Sequence, residues 1–196
     1  MRIITGKARG IKLDTVAGDA VRPTTEMAKE GIFSAIQFDL DSRRVLDLFA
    51  GSGQLGLEAL SRGAESAVFV DESQASIDMV KKNAQKSKLF SQCRIVRMDF
   101  TDYLKKCNDT FHFIFVDPPY EKRLLPEVIK KIMKYGVLHE DGVIVCEGVD
   151  KEIEIDAHKN NNFIKEKRCS FYKRLVPYRY RVKSSCNYSF HLYALS

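Results

Sequence analysis

Between residues 44 and 147, short unbroken apolar runs alternate with stretches whose apolar residues recur at helical spacing. Ala67-Val68-Phe69-Val70, Phe111-His112-Phe113-Ile114-Phe115-Val116 and Val143-Ile144-Val145 are brief and rich in β-branched and aromatic residues, as buried strands are. The pattern predicts strands over 44–49, 66–70, 93–98, 111–116 and 142–147, with helices over 54–62, 73–88, 101–106 and 124–135. An earlier helix, capped by Thr24 or Thr25, is expected to run to about Phe38 with Ile32, Phe33 and Ile36 on one face. Strict alternation of strand and helix specifies a parallel sheet covered on both faces. Residues 1–22 read as a basic arm with a short hairpin around Gly10 and Gly18, and the last segment, β-branched and aromatic, as an antiparallel pair at one sheet edge. One domain is expected, with an arm (1–25), a core (26–150) and a basic, aromatic tail of strands (151–196).

The ends of the predicted strands carry the chemistry. Val116-Asp117-Pro118-Pro119-Tyr120 closes the run that begins at Phe111. Two prolines cannot continue a ladder, because proline lacks an N–H and fixes φ. They stiffen the turn, hold the Asp117 carboxylate, leave the Pro118 carbonyl without a ladder partner and set Tyr120 beside it. Two acceptors and a flat aromatic face around one point suit an exocyclic amino group on a planar base. A strand that merely ends in an Asp-Pro-Pro turn is the bland alternative.

A second motif argues against it. Asp47-Leu48-Phe49-Ala50-Gly51-Ser52-Gly53-Gln54-Leu55-Gly56 runs from a strand through a glycine turn into a helix. Such glycines let a backbone approach a ligand, so a side chain at Gly53 is expected to block it, and a helix N-terminus offers free N–H groups. Gly51-x-Gly53-x-x-Gly56 fits a dinucleotide fingerprint, with Asp71 ending the next strand. Asp47 changes that reading. A carboxylate just before the turn would repel a pyrophosphate but can bind the ammonium of a methionyl group, which favours S-adenosylmethionine over NAD. Asp71 then suits the ribose hydroxyls. Asp99-Phe100 follows the strand Arg94-Ile95-Val96-Arg97-Met98, so Asp47, Asp71, Asp99 and Asp117 end four successive strands. Ligands of open α/β sheets collect at that edge. A lone Asp99 before Thr101 reads equally well as a helix cap.

With these residues in view the chain resembles a known family. Met1-Arg2-Ile3-Ile4, Arg9-Gly10-x-Lys12-Leu13, Arg22-Pro23-Thr24-Thr25, the glycine motif, Gly56-Leu57-Glu58-Ala59-Leu60-Ser61-Arg62-Gly63 and Asp117-Pro118-Pro119-Tyr120 are similar to the bacterial guanine-N2 methyltransferases of 16S ribosomal RNA, the guanine-966 type. The likeness runs from Met1 to about Glu147. It implies a Rossmann-like methyltransferase fold, with a mostly parallel seven-stranded sheet and an antiparallel edge pair. It also implies S-adenosyl-L-methionine as methyl donor, and 16S rRNA or the assembled small subunit as partner. Asp47, Phe49, Ala50, Gly51, Ser52, Gly53, Asp71, Asp99 and Phe100 fall at donor-binding positions, and Asp117, Pro118, Pro119 and Tyr120 at catalytic ones. Arg9, Lys12, Arg22, Thr24, Arg179 and Arg181 fall to the RNA. The chain departs from the family pattern at Glu26-Met27-Ala28-Lys29-Glu30, where two arginines are usual, and at Pro177-Tyr178-Arg179-Tyr180-Arg181, where a glycine is missing.

Charge sharpens the partner. Residues 1–25 carry Arg2, Lys7, Arg9, Lys12 and Arg22 against Asp14 and Asp19, a net of +3. Residues 159–196 carry nine Lys or Arg against Glu166 alone, +8, so the middle is −5 within a chain of +6. Basic ends around an acidic core suit a phosphate-bearing substrate, though solvated basic surfaces would look the same. Tyr178 and Tyr180 among arginines suit base stacking. The five cysteines lack a Cys-x-x-Cys pair, which argues against zinc and disulfides and for a reducing cytoplasm. His112, within a strand, reads as structural. No apolar run approaches the roughly 20 residues of a membrane span, no signal peptide is visible, and a cytoplasmic monomer without a metal is expected. Two other readings stand beside this one. An adenine-N6 or cytosine-N4 DNA methyltransferase would share the Asp-Pro-Pro-Tyr chemistry but normally needs an inserted recognition domain. A non-catalytic RNA-binding protein on the same scaffold would not need Asp47, Gly51, Gly53 and Asp117 intact.

Overall fold

A computed structural model of the chain describes residues 1–15, 26–118, 124–149, 175–183 and 188–195. Five apolar runs form parallel strands: β1 (Arg44–Asp47), β2 (Ser66–Asp71), β3 (Cys93–Arg97), β4 (Phe111–Val116) and β5 (Leu138–Val149). The helices between them are α2 (Gln54–Ser61), α3 (Gln74–Lys86), α4 (Phe100–Lys106) and α5 (Leu125–Tyr135), after a leading α1 (Glu26–Ile36). The sheet order is β3-β2-β1-β4-β5-β7-β6, with β6 (Leu175–Lys183) and β7 (Tyr188–Leu195) at one edge. β7 runs antiparallel to both β5 and β6. Chain order reverses between β1 and β4, which makes their carboxyl ends the switch point where α/β sheets bind ligands. Asp47 lies in register with Phe69 and Phe115, so Asp47 and Asp71, which end β1 and β2, and Asp117, which follows β4, share one edge.

Strand residues alternate between two cores. Val45, Ala67, Phe69, Phe113, Phe115, Val143 and Val145 pack toward α1, α2 and α3. Leu46, Val68, Val70, Ile114, Val116, Ile144 and Cys146 pack toward α4 and α5. Phe111 joins the second set despite its odd position, because pairing with β5 shifts register between Phe111 and Phe113. The same irregularity lets β5 begin at Leu138, four residues before the expected strand start at 142. α1 stops at Ile36 rather than Phe38, and Phe38 stands 90% exposed.

The expected hairpin around Gly10 forms, and it packs into the core rather than standing off as an arm. Ile3 N–H donates to Ile11 O at 3.0 Å, Gly10 N–H to Ile3 O at 2.8 Å and Leu13 N–H to Met1 O at 3.0 Å, closing a hairpin through an Arg2–Lys12 bridge. Ile3, Ala8 and Leu13 are buried in the first core. The expected turn at Gly18 lies outside the described residues. The hairpin is needed because every residue of α2 is buried, and its outer face must be covered. The cover is polar. Glu58, with no exposed surface, accepts the N–H of Ile4 at 2.8 Å and of Thr5 at 3.1 Å. Its carboxylate also takes Arg62 Nε at 2.8 Å and the fully buried Lys29 ammonium at 3.3 Å. Lys29 Nζ donates in turn to Arg2 O at 2.6 Å. Burial pushes the Lys29 pKa down, and Glu58 opposes that shift. Arg62 spreads its guanidinium over Phe33 at 4.9 Å.

A carboxylate offers about four acceptor sites, and all are used here. Glu58→Leu removes the acceptor and leaves Lys29 buried without its partner, so it is expected to lower stability by about 3–5 kcal/mol. Urea unfolding measures this, and a loss below about 1 kcal/mol, the range of an exposed pair, contradicts it.

Candidate active site at the carboxyl edge of the sheet

The turn after β1 is pinned from both sides. Leu48 N–H donates to Phe115 O at 3.1 Å and Ala50 N–H to Val70 O at 3.0 Å. Gly53 N–H then closes onto Ala50 O at 2.6 Å, with Gly51 at φ 51° and Gly53 at φ 77°. Gly53 is the N-cap of α2 and has no side chain to offer. Asp47 does that work from the strand: its Oδ2 accepts Gly56 N–H at 3.0 Å, the third amide of the helix. Asp47 is therefore turned inward, 2% exposed, with Oδ2 committed to the helix. Burial raises its pKa to about 7; the Gly56 N–H opposes this and Asp71 adds to it.

Asp71 holds the same turn from β2. Its Oδ2 accepts Gly51 N–H and its Oδ1 accepts Ser73 N–H, both at 2.9 Å. Each oxygen keeps a lone pair, so the half-buried carboxylate can still accept two hydroxyls. Asp99 is the N-cap of α4, its Oδ1 accepting Thr101 N–H at 2.8 Å and Asp102 N–H at 3.3 Å. The cap is thus its observed role, and its exposed carboxylate stays at the ligand edge. Phe49 and Phe100, both half-buried, meet at 5.3 Å and 44°, forming an apolar wall between the β1 turn and α4. Lys131 Nζ lies 5.1 Å from the Phe100 ring centre.

The three glycines divide their work differently from the expectation. A Cβ at Gly51 would meet nothing within 4 Å, so this glycine faces open space. A Cβ at Gly53 would meet Val80 at 3.3 Å and Phe69 at 3.4 Å, and one at Gly56 would meet the Phe69 ring at 2.3 Å. A side chain at Gly53 would therefore strain the backbone at φ 77° and press on Val80 and Phe69 of the core. Ala50 is buried, and Ser52 O accepts Asn83 Nδ2 at 2.9 Å. Asn83 was invisible as a site residue. Fully buried on α3, it also accepts Asp14 N–H and donates to Asp14 O, each at 2.9 Å, which locks the N-terminal hairpin to the glycine turn.

Asp117, half-buried, and Pro118, buried, follow β4 directly beside this turn. Pro119, Tyr120, Arg22 and Thr24 lie outside the described residues. Arg9 and Lys12 are exposed on the hairpin, and Arg179 and Arg181 fall in β6. His112 sits at the opposite end of the sheet, its Nδ1 accepting Arg44 N–H at 3.3 Å and its ring stacked on His139 at 4.2 Å. Among the described residues no helix is long and apolar enough to cross a membrane.

The parallel sheet, the glycine turn and the acids at its carboxyl edge are those of an S-adenosylmethionine-dependent methyltransferase of the Rossmann-like class. The chain belongs to the family described as Conserved hypothetical protein 95, whose model matches residues 1–173. It is 44% identical over 158 residues to the Putative rRNA methyltransferase YlbH of Bacillus subtilis, covering 79% of this chain and 85% of that protein. It is 33% identical over 170 residues to the Ribosomal RNA small subunit methyltransferase D of Haemophilus influenzae, covering 85% and 88%. Among solved structures it resembles the putative methyltransferase yhhF from Escherichia coli with a TM-score of 0.79 and 28% identity, covering 100% and 98% of the two chains.

The raised pKa of Asp47 has a thermodynamic consequence. Its folded value, about 7, exceeds the ordinary 3.8, so the folded donor-free protein binds this proton more tightly than the unfolded chain. The group's contribution is complete below the ordinary value and is lost as pH rises through about 7. Asp47→Asn keeps an acceptor for Gly56 N–H and does not titrate. Relative to the parent it should gain stability between pH 5 and pH 8 in urea unfolding; a constant difference contradicts the assignment.

Proposed function

We propose that this chain transfers a methyl group from S-adenosylmethionine to the exocyclic 2-amino group of a guanine in 16S rRNA within the small ribosomal subunit. It would act as a cytoplasmic monomer with a single methyltransferase domain. The relatives named for ribosomal RNA and its small subunit support the substrate class. The observation that carries the chemistry is the position of Asp117-Pro118, directly after a β4 whose Phe115 lies in register with Asp47 of β1. A guanine amino group held there faces the donor turn.

The residues present fit the donor. Gly51 faces open space where a side chain would intrude, and Asp71 keeps lone pairs for two ribose hydroxyls. Gln54 Oε1, at the first residue of α2, is a buried acceptor with no partner. Phe49 and Phe100 offer an apolar wall for a flat base. The bound donor supplies a methyl on a sulfonium, from which a neutral thioether would leave readily without a metal to activate it.

The protein's task is the acceptor. The lone pair of a guanine 2-amino group is delocalised into the ring. Asp117 and the Pro118 carbonyl accept its two hydrogens, so the nitrogen can pyramidalise and aim its lone pair at the methyl. The same two acceptors stabilise the positive charge that develops on nitrogen. Fixing both reactants in line supplies much of the remaining rate. Asp117 need not be a strong base, since the proton becomes acidic only as the new N–C bond forms. Tyr120 stacks on the target base, which must leave its helix or loop to be reached.

Methyl transfer from labelled donor to small subunits lacking the modification tests this reading. The parent should modify them, whereas Asp117→Ala should bind donor nearly as well yet transfer about a hundredfold more slowly, as when one preorganised electrostatic contact is lost. Full activity in Asp117→Ala contradicts the assigned chemistry.

A further inference from the structure

The acidic middle of the chain hides a basic helix. Residues 74–88 carry Lys81, Lys82, Lys86 and Lys88 against Asp78 alone, a net of +3, while the rest of residues 26–158 nets −8. Residues 1–15 carry Arg2, Lys7, Arg9 and Lys12 against Asp14, again +3. The fold brings these two segments together. Asn83 holds the backbone of Asp14 with two hydrogen bonds, and the Asp14 carboxylate takes Lys82 and Lys86 at 2.9 Å each. Past the end of α3, Lys7 Nζ reaches Gln92 Oε1. Lys82 and Lys86, spaced i and i+4, share one helix face, and their side chains are 65% and 41% exposed.

We propose that the face formed by the N-terminal hairpin and α3 is a docking surface for the phosphodiester backbone of the RNA substrate, a proposal that rests on the ribosomal RNA reading above. The occupant follows from the chemistry. The exposed residues of α3 are almost all charged or amide side chains, and the exposed Phe90 past its end is a single apolar side chain rather than the apolar centre that a protein partner would bury. A regular polyanion instead matches a band of ammonium and guanidinium groups in a molecule that is otherwise acidic between its ends. Asp14 sits among these groups as an internal anion, offsetting Lys82 and Lys86 where phosphate oxygens would bind. The hydrogen bond from Lys82, then that from Lys86, holds its carboxyl at about 2, so it remains charged throughout the physiological range. Asn83 ties the same face to the donor turn through Ser52 O at 2.9 Å, so RNA seated there is registered against the site of transfer.

Two variants act in opposite directions on the same face. The double variant Lys82→Gln with Lys86→Gln should bind small-subunit RNA more weakly, and its salt slope should shrink by about 1.5, since each phosphate contact contributes about 0.7–0.9. Asp14→Asn keeps its backbone bonds to Asn83 and releases both lysines, so it should bind more tightly with a steeper slope. Donor affinity by calorimetry should not change in either. If the lysine variant binds with the parent's affinity and slope, or Asp14→Asn fails to move the other way, the docking face is wrong. Methylation of small subunits by the parent is read in parallel. Its absence would refute the ribosomal RNA reading itself, whereas methylation with unmoved variants would refute the docking face alone.

Discussion

A carboxylate cannot be buried at the centre of a helix unless donors surround it, and Glu58 shows what that requirement builds. Two backbone amides of the N-terminal hairpin, one lysine from α1 and the arginine at the carboxyl cap of α2 converge on it. The acceptor needs all of these groups in place, so hairpin, α1 and α2 are fixed together. Buried ionic networks of this kind add little net stability over apolar packing, yet losing one member is costly. Their effect is to fix one arrangement. Here that arrangement fixes α2, whose first turn carries the candidate donor site.

From that fixed helix the site is assembled by groups with double duties. Asp47 caps α2 in place of a glycine that cannot, and Asp71 clasps the Gly51 amide while keeping lone pairs toward the open edge. Asn83 joins the turn to the hairpin. The acids at the strand ends therefore first shape the backbone, and a ligand meets a turn that is already formed. Such preorganisation is what electrostatic catalysis needs, because nothing has to reorient as charge develops on the acceptor nitrogen.

Much of this was legible in the sequence, for identifiable reasons. β4 occupies the span its apolar run predicts, and α3 runs over Gln74–Lys86 within the predicted 73–88, because strong periodicity is bounded by turn residues. The edge acids stood out because four successive strands end in Asp. The hairpin was legible at Gly10 but its burial was not, since Ile3, Ala8 and Leu13 follow neither a strand nor a helix period, and the basic residues between them suggest a solvated arm. Lys29 and Glu58 were hidden for the same reason: a charge in a helix ordinarily reads as solvent-facing. Gly53 and Gly56 read as room for a ligand, whereas Val80 and Phe69 explain them as close packing. Only three-dimensional contact separates those two uses of glycine.

A preorganised glycine turn, Asp117-Pro118 beside it and a family of ribosomal RNA methyltransferases point to one activity. Mass mapping of 16S rRNA from a strain lacking this gene tests that activity most directly. One N2-methyl on a single guanine should disappear and return when the gene is restored. An unchanged methylation pattern in the deletion strain would contradict it.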